Sequence, residues 1–197
     1  MFLSCKGHEC DSRDEKKNRA AMQKYLWDDG RGLFFDYNFD DHQRSSYLFA
    51  TTLYPLWAGL ATKSQTASLI KNLSEFEKPG GIATSLQESQ GQWDYPFGWA
   101  PIQLIAVEGK RRYVYADDAN RVSTEFLSTV LENFERDKTI REKYNVVTRS
   151  SETNVTVGYA ANVIGFGWTN GTFLELLHAL PAEKVSQVSH SIAPASK

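Results

Sequence analysis

Two stretches of this chain, Ile82 to Phe97 and Glu142 to Asn170, hold neither a helical nor an alternating period, and each runs directly into an apolar helix. Loops of that length in a compact domain are functional or disordered, and the aromatic side chains in these argue against disorder. The helix after the first, Trp99 to Val107, is apolar nearly all round and is expected to be buried on most sides. The helix after the second runs from Thr172 to Leu180. Repetition of the same loop-then-helix order predicts that both loops open on one end of the array and form one site.

The rest of the chain is read as helices. A charged helix is expected over Ser12 to Asp28, ended by Gly30 and Gly32, followed by an extended Leu33 to Tyr37. Leu53, Leu56, Trp57 and Leu60 predict a core helix within Ser45 to Ala61, with Pro55 as a kink or late start. Ala67, Ile70, Leu73 and Phe76 predict another over Lys63 to Glu77, and the short joint at 61–63 makes the two an antiparallel pair. Pro79-Gly80-Gly81 breaks the pattern. Asp117 or Asp118 is placed as the cap of a helix carrying Val122, Phe126, Val130 and Phe134. No strand pattern is strong enough to suggest a sheet, so the fold class is all-α, an array of helical hairpins. Residues 1–11 are read as a loose N-terminal segment, 12–180 as the folded part and 181–197 as a loosely held polar tail.

At 197 residues with 41% apolar side chains, the chain can bury a real core. Its 22 Lys and Arg against 24 Asp and Glu leave a net charge of −2, which argues against nucleic acid or an anionic membrane surface as partner. No apolar run approaches the roughly 18 residues of a membrane span. The start lacks the layout of a secretion signal, so no compartment is read from it. Cys5, His8 and Cys10 fall short of a structural zinc set, and no metal is expected.

No phosphate-binding glycine loop, serine elbow or paired-histidine zinc motif occurs. The two loops instead share carboxylates beside aromatics: Glu88, and Asp94 between Trp93 and Trp99, then Glu142 with Tyr144, and Glu152 ahead of Phe166 and Trp168. Glycoside hydrolysis needs two carboxyl groups across a glycosidic bond and flat aromatic faces for the sugar ring. Helix-end carboxylates and core tryptophans have the same composition, and composition leaves both readings open.

The run Gln92-Trp93-Asp94-Tyr95-Pro96-Phe97-Gly98-Trp99-Ala100-Pro101 resembles the QWDxPxGWxP signature of the trehalases, glycoside hydrolase family 37. The resemblance continues in order with Pro79-Gly80-Gly81-Ile82 before it and Ile102-Gln103, Glu108-Gly109, Glu142-Lys143-Tyr144-Asn145-Val146 and Gly165-Phe166-Gly167-Trp168-Thr169-Asn170-Gly171 after it. It covers roughly positions 75 to 180, and the weaker Tyr54-Pro55-Leu56-Trp57-Ala58-Gly59-Leu60 extends it upstream.

This resemblance implies an (α/α) toroid of six hairpins, of which the chain would form an incomplete, C-terminal part. It implies inverting hydrolysis of α,α-trehalose to two glucose molecules, without a cofactor. In that mechanism an acid and a base lie roughly 6.5–9.5 Å apart on either side of the bond. By resemblance Glu142 is the general base and Glu152 a sugar contact, with an exchange of roles between them left open. Arg149-Ser150-Ser151-Glu152 departs from the commoner GGGGEY form. Trp93 and Trp168 are expected to border the sugar pocket, and Asp94 to orient loop or substrate. The family's general acid is an Asp of an upstream Trp-Asp motif. Neither Trp27-Asp28 nor Trp93-Asp94 matches it, so the acid and the N-terminal half of the domain are expected to be missing. The other readings are a related toroid glycosidase acting on another small glycoside, and a non-catalytic sugar-binding fragment.

Overall fold

A computed structural model describes residues 12–158 and 161–190. Cys5, His8 and Cys10, and the outer parts of both terminal segments, lie outside the described residues. The described chain is mainly helical, with seven α-helices: α1 Ser12–Tyr25, α2 Tyr54–Trp57, α3 Lys63–Leu73, α4 Ala100–Arg112, α5 Ala116–Asp137, α6 Gly167–His178 and α7 Ala182–His190. None of these helices is long and apolar enough to cross a membrane.

The helices repeat one plan. A helix, a long connection and a second helix follow one another as α1 to α2, α3 to α4 and α5 to α6. The second members stand side by side, α2 on α4 and α4 on α6, while α5 packs on α4, α6 and α7. The core between them includes Leu53, Leu56, Ile102, Ala106, Val107, Phe126, Val130 and Leu176. Gly109 permits the closest approach, since a Cβ there would lie 3.1 Å from the Trp57 nitrogen and 3.3 Å from Leu56 Cβ. α3 starts as its sequence dictates: Thr62 Oγ1 accepts from the Gln65 N–H while Gln65 Oε1 accepts from the Thr62 N–H.

Several expectations are corrected. The charged helix stops at Tyr25, and Trp27–Asp28 (β1) instead pairs antiparallel with Leu33–Phe34 (β2). Asp28 accepts from the Arg31 N–H at 2.9 Å, and Gly32 takes φ +65°, so the turn is fixed by these two residues rather than by a helix end. The core helix placed within Ser45 to Ala61 shrinks to a 3₁₀ turn, Ala50–Leu53, and the single turn α2. Its upstream backbone is drawn off into extended pairing: Ala50 N–H donates to Thr84 O and Leu86 N–H to Leu48 O. One turn cannot make a helical hairpin, and α2 packs on α4, not as an antiparallel partner of α3. Asp117 and Asp118 lie inside the first turn of α5 after Tyr115, where they complement the helix dipole without capping it. α6 begins at Gly167, earlier than Thr172, because Trp168 and Thr169 already face inward. Residues 182–190, read as loose, form α7, held through Val188, which is 2% exposed.

Short strands also occur where none was expected. Tyr37–Asn38 (β3) pairs with Gln43–Arg44 (β4), Glu77–Lys78 (β5) with Gly81–Ile82 (β6), and Phe97–Trp99 (β7) with Lys143–Asn145 (β8). Pieces of two or three residues leave no alternation for a sequence to display.

Candidate active site

The three long connections meet at one end of the helices, and they meet by pairing with one another. Leu48 to Ala50 bonds to the 84–86 segment, Thr84 N–H donates to Phe97 O at 2.9 Å, and β7 pairs with β8. Further out, Gln92 N–H donates to Val157 O and Val157 N–H to Gln90 O, joining the first aperiodic loop directly to the second. The expectation that both loops share an end therefore holds, and the 26–49 connection joins them.

Gly98 explains why the signature needs a glycine between its aromatics. A Cβ there would lie 2.4 Å from Val146 Cγ1 and 2.7 Å from Ile82 O, so only a bare backbone fits between β6 and β8. Buried Gln103 locks the same place, accepting from Ile82 N–H and donating to Ile82 O, both at 2.7 Å.

Pairing of β7 with β8 sets Trp99 opposite Lys143. Trp99 is fully buried, its Nε1 donating to Gln92 O at 2.9 Å. Trp93 stacks flat on it, centroids 3.8 Å apart and planes 7° apart, while Trp168 meets it edge-on at 5.6 Å. Trp93 remains 41% exposed, presenting aromatic surface at the loop end. Glu142 and Lys143 are both 0% exposed, with Lys143 Nζ 3.2 Å from Glu142 Oε2 and 5.3 Å over the Trp99 ring. A carboxylate withdrawn from water needs such a partner, because its desolvation otherwise costs several kcal/mol. The Glu142 backbone is fixed by its N–H on Val163 O and by Thr169 Oγ1 on its carbonyl.

Trp93 and Trp168 thus flank Trp99 directly, while Glu142 is linked to Trp99 through Lys143. Asp94 sits on the loop beside them, with Oδ1 accepting from Ser85 Oγ at 3.0 Å and Oδ2 accepting from Ser89 Oγ. Burial pushes its carboxyl above the ordinary range. Glu152 stands apart: it is exposed, and its backbone N–H donates to Ser150 Oγ. Its surroundings are the end of α5, where Arg136 and Ser151 hold the Asp137 carboxyl down to about 2. Asn162, which the sequence did not single out, ties the two regions together by donating to Lys143 O at 2.8 Å and Ser151 O at 2.7 Å. Lys143 falls within the Glu142-to-Val146 motif, and its ion pair is visible only in three dimensions. Among the described residues no group of three or more His, Cys, Asp or Glu side chains could hold a metal ion.

A family profile described as Trehalase matches residues 8–181. The cytosolic neutral trehalase of Saccharomyces cerevisiae is 38% identical over 178 residues, 81% of this chain and 24% of that protein. A periplasmic trehalase of Salmonella choleraesuis is 36% identical over 180 residues, 90% of this chain and 31% of that protein. The solved structure of neutral trehalase Nth1 from Saccharomyces cerevisiae superposes with a TM-score of 0.77 at 35% identity, covering 92% of this chain and 32% of that one. A mannosylglycerate hydrolase of Thermus thermophilus, a GH63 enzyme, shares the fold with a TM-score of 0.63 at 20% identity, covering 82% of this chain and 38% of that one. The chain spans about a quarter to a third of the length of the trehalases it matches.

Proposed function

The chain belongs to the trehalase family, and from that premise we propose that residues 12–180 are the base-bearing, C-terminal part of an inverting α,α-trehalase domain. Its helices form part of an (α/α) toroid, the fold of the solved relatives. The observation that carries the reading is the β7–β8 ladder, which sets the strand after Glu142 against the Trp99 strand of the signature. Glu142 is assigned as general base: its carboxylate takes a proton from the water that attacks the anomeric carbon. An acid outside this chain protonates the glycosidic oxygen, so that one glucose leaves as the other gains the hydroxyl. Trp93 and Trp168 line the apolar face of the sugar. Glu152, exposed at the end of α5, is assigned to a glucosyl hydroxyl from the side of the pocket that this chain leaves open. The closed Glu142–Lys143 pair must open for water and sugar to reach the carboxylate.

A second reading, sugar binding without turnover, is favoured by that same closed pair. Two measurements on the 197-residue chain test the missing acid and the pocket placement on which both readings rest. Glucose release from trehalose is expected to be absent, since loss of a general acid costs about 10²- to 10⁴-fold and loss of the facing wall costs more. Calorimetry is expected to show weak trehalose binding that Trp93→Ala abolishes. Turnover at the rate of a complete enzyme would overturn the missing-acid assignment, and trehalose binding indifferent to Trp93→Ala would overturn the placement of the pocket.

A further inference from the structure

α5 and α7, with Arg149 of the 138–166 connection, line a half-open cavity of about 360 Å³, within the size range of small-ligand sites. The side chain of Glu125 lines it, and no N–H or hydroxyl of the described residues donates to its buried Oε2 atom. Burial, and then the neighbouring Glu77 carboxylate, push the Glu125 carboxyl up to about 8. A side-chain hydrogen bond between the two carboxyl groups raises it further. Burial pushes Glu77 up, but Arg121 and Lys110 outweigh that and hold it ionised and engaged.

Three cations reach the cavity, Arg121, Arg149 and Lys184, which invites an anion. The ion pairs argue otherwise. Arg121 is held by Glu77 and Asp118, and Arg149 by Glu132 at 2.9 Å. Lys184 and Asp117, both in the lining, offset each other in sign. What remains is a nearly neutral wall of carboxyl, amide and guanidinium groups, with Asn120 and Gln187 completing it. Planar polar groups of this kind suit adjacent hydroxyls, and a hydroxyl can donate to Glu125 when it is ionised and accept from its O–H when it is protonated.

We propose that the cavity between α5 and α7 is a second, non-catalytic site for a small neutral polyhydroxylated molecule, of monosaccharide class, anchored by a hydroxyl on Glu125. It does not depend on the assignment of Glu142 or of the Trp93 face.

The test is a titration of glucose into the ¹⁵N-labelled full chain carrying Trp93→Ala, which removes the aromatic platform at the loop end. Shifts of the Asn120 and Gln187 side-chain amides are expected, weakened about tenfold by Glu125→Ala through loss of the buried hydrogen bond. Should Glu125→Ala fold poorly, Gln187→Ala, at an exposed position on α7, must weaken the Asn120 shift. Absence of shifts at α5 and α7, shifts that both variants leave unchanged, or shifts with inorganic phosphate but not with glucose would each overturn the assignment.

Discussion

Lys143 stands across the β7–β8 ladder from Trp99 and places its ammonium 5.3 Å over that indole. The same ammonium neutralises the buried Glu142 carboxylate. One lysine therefore couples the signature aromatics to the residue assigned as base, and its removal is expected to act on both.

Lys143→Met leaves Glu142 buried beside an apolar chain, which is expected to cost about 3–5 kcal/mol. Removing both charges together, in Glu142→Gln/Lys143→Met, is expected to restore a large part of that loss. Urea unfolding of the two single variants and the double variant gives the coupling directly. Additive losses would mean that the pair carries no mutual stabilisation.

The two stacked tryptophans should separate binding from folding. Trp93 is half-exposed, so Trp93→Ala is expected to lower stability by only about 1 kcal/mol, the scale of an aromatic pair. Trp99 is wholly buried, and Trp99→Ala is expected to cost about 3–5 kcal/mol. Thermal denaturation of both variants, read beside trehalose calorimetry, checks the contrast.

Gly98→Ala has no room at the junction of β6 and β8, with Val146 Cγ1 2.4 Å from the added carbon. It is expected to destabilise by about 1–3 kcal/mol, the ordinary cost of overpacking. Gln103→Leu strands the Ile82 N–H and C=O and is expected to cost about 2 kcal/mol or more. A shift of the denaturant midpoint in both, with far-UV circular dichroism unchanged, is the expected record.

The Glu125 carboxyl is raised from 4.5 to about 8 in the folded chain. Between those values the folded state holds a proton that the unfolded state has released, so the Glu125 contribution to stability falls as pH rises and levels off above about 8. Glu125→Gln cannot ionise. Its stability relative to the parent is therefore expected to improve from pH 5 to pH 8 and then stay constant; a difference flat over that range would place the Glu125 carboxyl near its ordinary value.

What the sequence made legible was the set of longer helices. The four-residue recurrence of Val122, Phe126 and Val130 falls on α5 as expected, and the apolar run after Trp99 becomes α4, most of whose residues are buried. Leu53, Leu56, Trp57 and Leu60 misled because helical spacing over two turns is equally met by one turn and an adjoining bend. The ladder between β7 and β8 was hidden for another reason. Its partners lie more than forty positions apart, and nothing in either three-residue strand names the other. That the Glu142 and Trp93 segments belong to one end of the molecule was readable only through motif order, while the Lys143 ion pair and the Asn162 clip depend on tertiary placement.

The pairing among the connections has a consequence for how this end of the molecule opens. Segments 48–50, 84–86, 97–99 and 143–145 take their hydrogen bonds from one another, and 90–92 does so with 156–157. No one of them can be released without stranding donors on its neighbour. The loop end should therefore behave as a single cooperative opening unit, its amides exchanging with solvent together and on a timescale separate from that of α4 and α5.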